Sequence, residues 1–204
     1  LTFGKFTMQE NKLKMDSLIP GFSLKGVDDK TYSLNDFSDK KILVIIFSCN
    51  HCPYVQAYED RIIALQNEFE KDGVQIIAIN SNDDVKYPDD SFEEMKKRAA
   101  ARGFNFPYLR DETQEIATAF GATYTPQIFL FDNDRKLKYE GKIDDNWQEP
   151  EKVKSAYLKE AILEVLENKE VSVPETFSIG CTIKWKWNIT FISIWIEIEC
   201  IRFT

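Results

Sequence analysis

The segment Ile42-Leu43-Val44-Ile45-Ile46-Phe47 puts six apolar residues in a row, four of them β-branched. A strand with one wet face alternates apolar with polar residues, so this one must be covered on both faces. A second run, Val74-Gln75-Ile76-Ile77-Ala78-Ile79, has nearly the same character. Between the two lie Val55, Tyr58, Ile62, Leu65 and Phe69, spaced three and four apart as the apolar stripe of a helix. Pro53 suits the first turn of that helix, where its missing N–H needs no partner, and Gly73 ends the segment. Buried strands joined through a helix demand a sheet layered by helices on both sides.

The flanking sequence extends this plan. Residues 22–34 read as a β-hairpin, with Phe22 and Leu24 alternating before a Val27-Asp28-Asp29-Lys30 turn and Tyr32 and Leu34 after it. A polar connector, NSNDDVKYPDD, leads from the second strand to a charged helix over residues 91–102. Asp111 to Gln114 has the spacing of a capping box and opens a short helix to Phe120. Residues 127–132 and 137–140 read as strands around an Asn133-Asp134 turn, and Leu158, Ala161, Ile162, Val165 and Leu166 mark a last amphipathic helix. The expected organisation is an N-terminal extension over residues 1–17, one α/β domain over 18–186, and a tail over 187–204.

Charge narrows the partners. A net charge of −8 opposes nucleic acid, which is bound through clustered Lys and Arg, and opposes anionic membrane surfaces in the same way. No run of ~18 apolar residues is present to span a bilayer. The first twenty residues carry no apolar h-region of a secretory signal, so a cytoplasmic location is expected.

The chemistry concentrates in Phe47-Ser48-Cys49-Asn50-His51-Cys52-Pro53-Tyr54, which holds two of the four cysteines and the single histidine. Cys49 and Cys52 fall between a buried strand and a helix start, where first-turn N–H groups and the helix dipole stabilise a thiolate. On this reading the outer sulfur, Cys49, is the one with the lowered pKa, and His51 beside it stabilises the thiolate further. The spacing lets the two sulfurs form and break a disulfide. Thr125-Pro126, just before the strand that starts at Gln127, is expected to be a cis bend beside this site. A metal site through Cys49, His51 and Cys52 is a rival reading, but tetrahedral zinc wants four ligands and no second close pair exists.

The hairpin, the buried strand, "SCNHCP" and the Thr125-Pro126 step resemble the thioredoxin superfamily. Within it the chain is most similar to the peroxiredoxin-like branch of the alkyl hydroperoxide reductase and thiol-specific antioxidant group. The "FSCNHCPYV" stretch with "IGCTIKWK" at residues 179–186 resembles a bacterial subfamily of that branch that carries a C-x-x-C. The resemblance implies a thioredoxin-like fold: a central mixed sheet flanked by helices on both faces. It implies a thiol–disulfide oxidoreductase in which Cys49 attacks a substrate disulfide and Cys52 resolves the mixed disulfide. The backbone at Thr125, before Pro126, would then pair with an extended substrate. Expected partners are a disulfide-containing protein or small molecule and an external thiol donor or acceptor, with no cofactor and no resident metal.

Two departures matter. The buried acid that thioredoxins carry six residues before the first cysteine is Leu43 here. The peroxiredoxin Pro-x-x-x-Thr/Ser-x-x-Cys pattern, aligned on Cys52, meets Ile45 and Cys49, which lowers peroxide reduction to the alternative activity. Cys181 is expected in a strand, as a small buried hydrophobe or an extra resolving thiol, and Cys200 has no recognisable context. From Ile183 onward apolar and polar residues alternate, which reads as an added edge strand or as an appendage past the natural end.

Overall fold

A computed structural model of the chain describes residues 12–186. Tail residues 187–204, with the alternation beyond Lys186 and Cys200, lie outside the described residues.

The strands are β1 (Ser23–Gly26), β2 (Thr31–Ser33), β3 (Ile42–Ser48), β4 (Val74–Asn80), β5 (Tyr108–Arg110), β6 (Tyr124–Thr125), β7 (Gln127–Phe131), β8 (Leu137–Gly141) and β9 (Cys181–Thr182). The helices are α1 (Pro53–Phe69), α2 (Phe92–Arg102), α3 (Glu115–Phe120) and α4 (Tyr157–Leu166). Seven strands form one mixed sheet in the order β2-β1-β5-β4-β3-β7-β8, and β6 pairs β9 separately. Strands β3, β4 and β5 run parallel, whereas β7 joins β3 and β1 joins β5 antiparallel. This is the thioredoxin-like architecture that the sequence implies, with the N-terminal hairpin incorporated as one edge of the sheet.

The period of two along β3 explains why every one of its residues is apolar until Ser48. Ile42, Val44 and Ile46 point into a core with Tyr58, Ile62, Leu65 and Phe69 of α1 and Leu158 and Ile162 of α4. Leu43, Ile45 and Phe47 point the opposite way, into a core with Ala117 and Phe120 of α3 and Phe129 and Phe131 of β7. Phe120 is the hub of that second core: its ring lies edge-on to Phe47 and Phe129 at 5.3 Å and to Phe131 at 6.0 Å.

One local expectation is corrected. The short helix begins at Glu115, not Asp111, and Gln114 takes a positive φ of 64° at its N-cap. Asp111 is buried and reaches the helix from outside, accepting the Ala117 N–H at 3.0 Å and the Ser81 hydroxyl at 2.7 Å. The connector after β4 is polar and only its middle is exposed: Asn80, Ser81, Asn82 and Asp90 are all buried. Buried groups of this kind need partners, so they bond one another, and the network reaches Asn50, the residue after Cys49.

Candidate active site

Strand β3 carries the chain to Ser48 at the end of the sheet, and Cys49 follows directly. Cys52 is the N-cap of α1, with Pro53 at the first helical position as its fixed φ allows. From the other side, β6 brings Thr125, and the Thr125–Pro126 bond is cis as expected. Both sulfurs converge on this one residue. Cys49 Sγ lies 3.3 Å from the Thr125 hydroxyl, and Cys52 Sγ lies 3.2 Å from the Thr125 carbonyl oxygen. Cys49, Cys52 and Thr125 are all buried, and both cysteines are free thiols.

His51 turns away from the sulfur pair toward the connector. Its ring stacks on Tyr87 at 5.4 Å, and its Nδ1 is 2.7 Å from Oδ2 of Asp90. Asp90 has no exposed surface, and its Oδ1 accepts the Asn50 backbone N–H at 2.6 Å and an Asn80 amide N–H at 3.2 Å. Its Oδ2 accepts an Asn82 amide N–H at 2.8 Å. A buried carboxylate is tolerable only with this many donors around it. The hydroxyl of Tyr108 ties the same network together, donating to Asn50 Oδ1 at 3.0 Å.

Ionisation is split between the cysteines, and the sequence expectation is reversed. Cys52 is pulled down to about 4, first because the Cys49 thiol hydrogen-bonds to it, then because the Cys181 thiol and the backbone N–H groups of Val55 and Cys181 do so as well. Burial opposes this without overcoming it. Cys49 is pushed well above the ordinary thiol range by its hydrogen bond to Cys52, by burial, and by the negative charge of Asp90. The reason is positional. Cys52 sits at the N-cap, beside the Val55 N–H, whereas Cys49 precedes the helix and faces a carboxylate. Protonated, the Cys52 thiol can donate to the Thr125 carbonyl; ionised, it accepts from Cys49, Cys181 and the helix start.

Cys181 enters from the far end of the chain. Strand β9 pairs antiparallel with β6, setting Thr125 opposite Cys181 and Tyr124 opposite Thr182. Cys181 Sγ is thereby 2.9 Å from Cys52 Sγ. The main-chain edge of Thr125 that the resemblance assigns to a substrate is therefore occupied by the chain's own residues. Asp90's place in the site was not legible, and Cys181, open to reading as a small buried hydrophobe or an extra resolving thiol, gave no sign of its register with Thr125. The only sequence signals were a cysteine behind a glycine in a short apolar stretch and an acid behind Pro88.

The rival metal set also changes. The donor atoms of Cys49, His51 and Asp90 lie within 4.8 Å of one another, so Asp90 takes the place expected for Cys52. That gives three donors among the described residues, one short of a closed tetrahedral site.

Residues 15–140 match the model of the AhpC/TSA family. The structure is similar to that of an uncharacterised conserved protein from Geobacillus kaustophilus, at 40% sequence identity and a TM-score of 0.82, covering 87% of this chain and 95% of that one. The chain is similar to the thiol-disulfide oxidoreductase ResA of Geobacillus thermodenitrificans, 24% identical over 138 residues, which covers 67% of this chain and 74% of that protein. It is also similar to the chloroplastic peroxiredoxin Q of Gentiana triflora, 25% identical over 150 residues, covering 69% of this chain and 63% of that protein.

Proposed function

The chain belongs to the AhpC/TSA family, and from that premise we propose that it is a thiol–disulfide oxidoreductase whose Cys49 and Cys52 alternate between dithiol and disulfide. The observation that carries this reading is the convergence of both sulfurs on Thr125, one at its hydroxyl and one at its carbonyl. Two thiols brought against one residue, the Cys52 thiol donating to its carbonyl and the Cys49 thiol bonded to its hydroxyl, form a prepared exchange pair.

The Cys52 thiolate attacks a disulfide of the substrate, forming a mixed disulfide and releasing one substrate thiolate. Cys49 then attacks Cys52, closing the 49–52 disulfide and releasing the second substrate thiol. The protein loses two electrons and the substrate gains them. The roles of the two cysteines are opposite to those the resemblance implies, because the thiolate is the nucleophile and Cys52 holds it. Asp90 and His51, within 4.8 Å of Cys49 Sγ, are the groups that can receive the Cys49 proton during resolution, the task for which Leu43 offers no acid.

Reduction of insulin disulfides by the wild type, Cys49→Ser and Cys52→Ser tests this. Loss of turnover in Cys52→Ser and slower turnover in Cys49→Ser, where Cys181 still stands beside Cys52, are expected; equal activity in all three ends the reading. Peroxide reduction is the second reading, favoured by the likeness to peroxiredoxin Q and by the ionised Cys52 next to Pro53. Its measure is the second-order rate with hydrogen peroxide, and a rate no faster than that of free cysteine discards it.

A further inference from the structure

The two sulfurs of the proposed pair are buried, and a third, half-buried sulfur stands beside the inner one. We propose that Cys181 is a third redox thiol of this site, which takes the disulfide over from Cys49 and serves as the point where an external thiol reduces the protein. This rests on the reading of Cys49 and Cys52 as a redox pair.

The placement of Cys181 is built, not incidental. A Cβ on Gly180 would lie 2.2 Å from the Thr125 carbonyl oxygen, so only glycine lets the segment approach this closely. The Thr125–Cys181 register then points the cysteine at Cys52. Beyond it the segment is pinned on both sides. The Ile183 N–H donates to the Thr123 carbonyl at 2.9 Å, and the Asp83 N–H donates to the Lys184 carbonyl at 2.7 Å. The Lys184 N–H donates to Asn82 Oδ1 at 2.8 Å, and Gln114 accepts the Lys186 N–H at 2.8 Å. A segment held this way cannot be displaced by each substrate in turn; its cysteine is a fixed member of the site.

The exchange balances within the chain. In the 49–52 disulfide, the Cys181 sulfur attacks Cys52; the 49–52 bond breaks, the 52–181 bond forms, and the proton of Cys181 passes to Cys49. The oxidation level is unchanged. An external monothiol then attacks the half-buried Cys181 sulfur and expels Cys52 as thiolate, and a second thiol frees Cys181 and leaves as the external disulfide. Cys52 is the best leaving group of the three, because its thiolate is the one the site stabilises.

The test uses the full chain with Cys200→Ser in every variant, oxidised by stoichiometric oxidised glutathione, acid-quenched, alkylated and peptide-mapped. Wild type is expected to contain both 49–52 and 52–181 disulfides. Cys49→Ser is expected to form the 52–181 disulfide and release two glutathiones per chain. Cys181→Ser is expected to hold only the 49–52 disulfide, and reduced glutathione should reduce it about tenfold more slowly or worse, the loss expected when access of the attacking thiol is removed. A wild type with 49–52 alone, together with a lasting glutathione adduct in Cys49→Ser, overturns the inference. Failure of the underlying reading looks different: no 49–52 disulfide then forms in wild type or in Cys181→Ser.

Discussion

Oδ2 of Asp90 lies 2.7 Å from Nδ1 of His51, and both side chains have a donor atom within 4.8 Å of Cys49 Sγ. One buried carboxylate therefore sets the charge around the sulfur that must stay protonated until resolution. Asp90→Asn retains an oxygen that can accept the Asn50 N–H but removes the charge. Cys49 is expected to ionise at lower pH in this variant, seen as a downward move of the highest of the three steps in a thiolate absorbance titration made with Cys200→Ser, above the steps of Cys52 and Cys181. An unmoved step would show that Asp90 has no electrostatic role at Cys49.

The first step of the same titration belongs to Cys52 and is expected near about 4. Its largest stabiliser is the Cys49 thiol, so Cys49→Ala should move it up toward the ordinary cysteine range of ~8.5. A first step that stays in place in Cys49→Ala would mean that the helix start alone holds the charge.

Stability of the reduced protein follows from that shift. Between about 4 and ~8.5 the folded chain has released a proton from Cys52 that the unfolded chain still holds, so stability rises with pH over this window. The contribution is lost as pH falls through the folded value. Cys49 acts in the opposite sense above ~8.5, where the unfolded thiol ionises and the folded one does not. The stability difference between wild type and Cys52→Ser, from urea unfolding under reducing conditions, should grow from acid to neutral pH. A flat difference contradicts the assignment.

Gly180→Ala places a methyl against the Thr125 carbonyl. The strand must back away or the bend must shift, at a cost of ~1–3 kcal/mol for forced overpacking. Faster alkylation of Cys181 is expected to accompany the lost stability. Wild-type stability and Cys181 reactivity in this variant would mean that β9 does not need its close approach to β6.

Phe120→Ala removes the ring that meets Phe47, Phe129 and Phe131 in a fully buried setting. The expected loss is ~3–5 kcal/mol with the denaturant slope unchanged. A loss below ~1 kcal/mol would show that the neighbouring side chains collapse to fill the space.

The local pattern of the sequence determined most of the layers. Apolar runs at 42–47 and 74–79 dictated doubly covered strands, a three-and-four spacing dictated α1, Pro53 marked its start, and Gly73 the turn between it and β4. Those signals are legible because each depends only on residues a few positions apart. The dithiol was legible for the same reason. The tertiary structure alone decided what surrounds it. Asp90 comes from a polar connector with no periodicity of its own, and Cys181 arrives through a two-residue strand paired with β6. These neighbours depend on how distant segments cross, and no periodicity encodes that. Which sulfur carries the charge was decided there too, because a thiol's ionisation follows the donors and charges that the fold assembles around it.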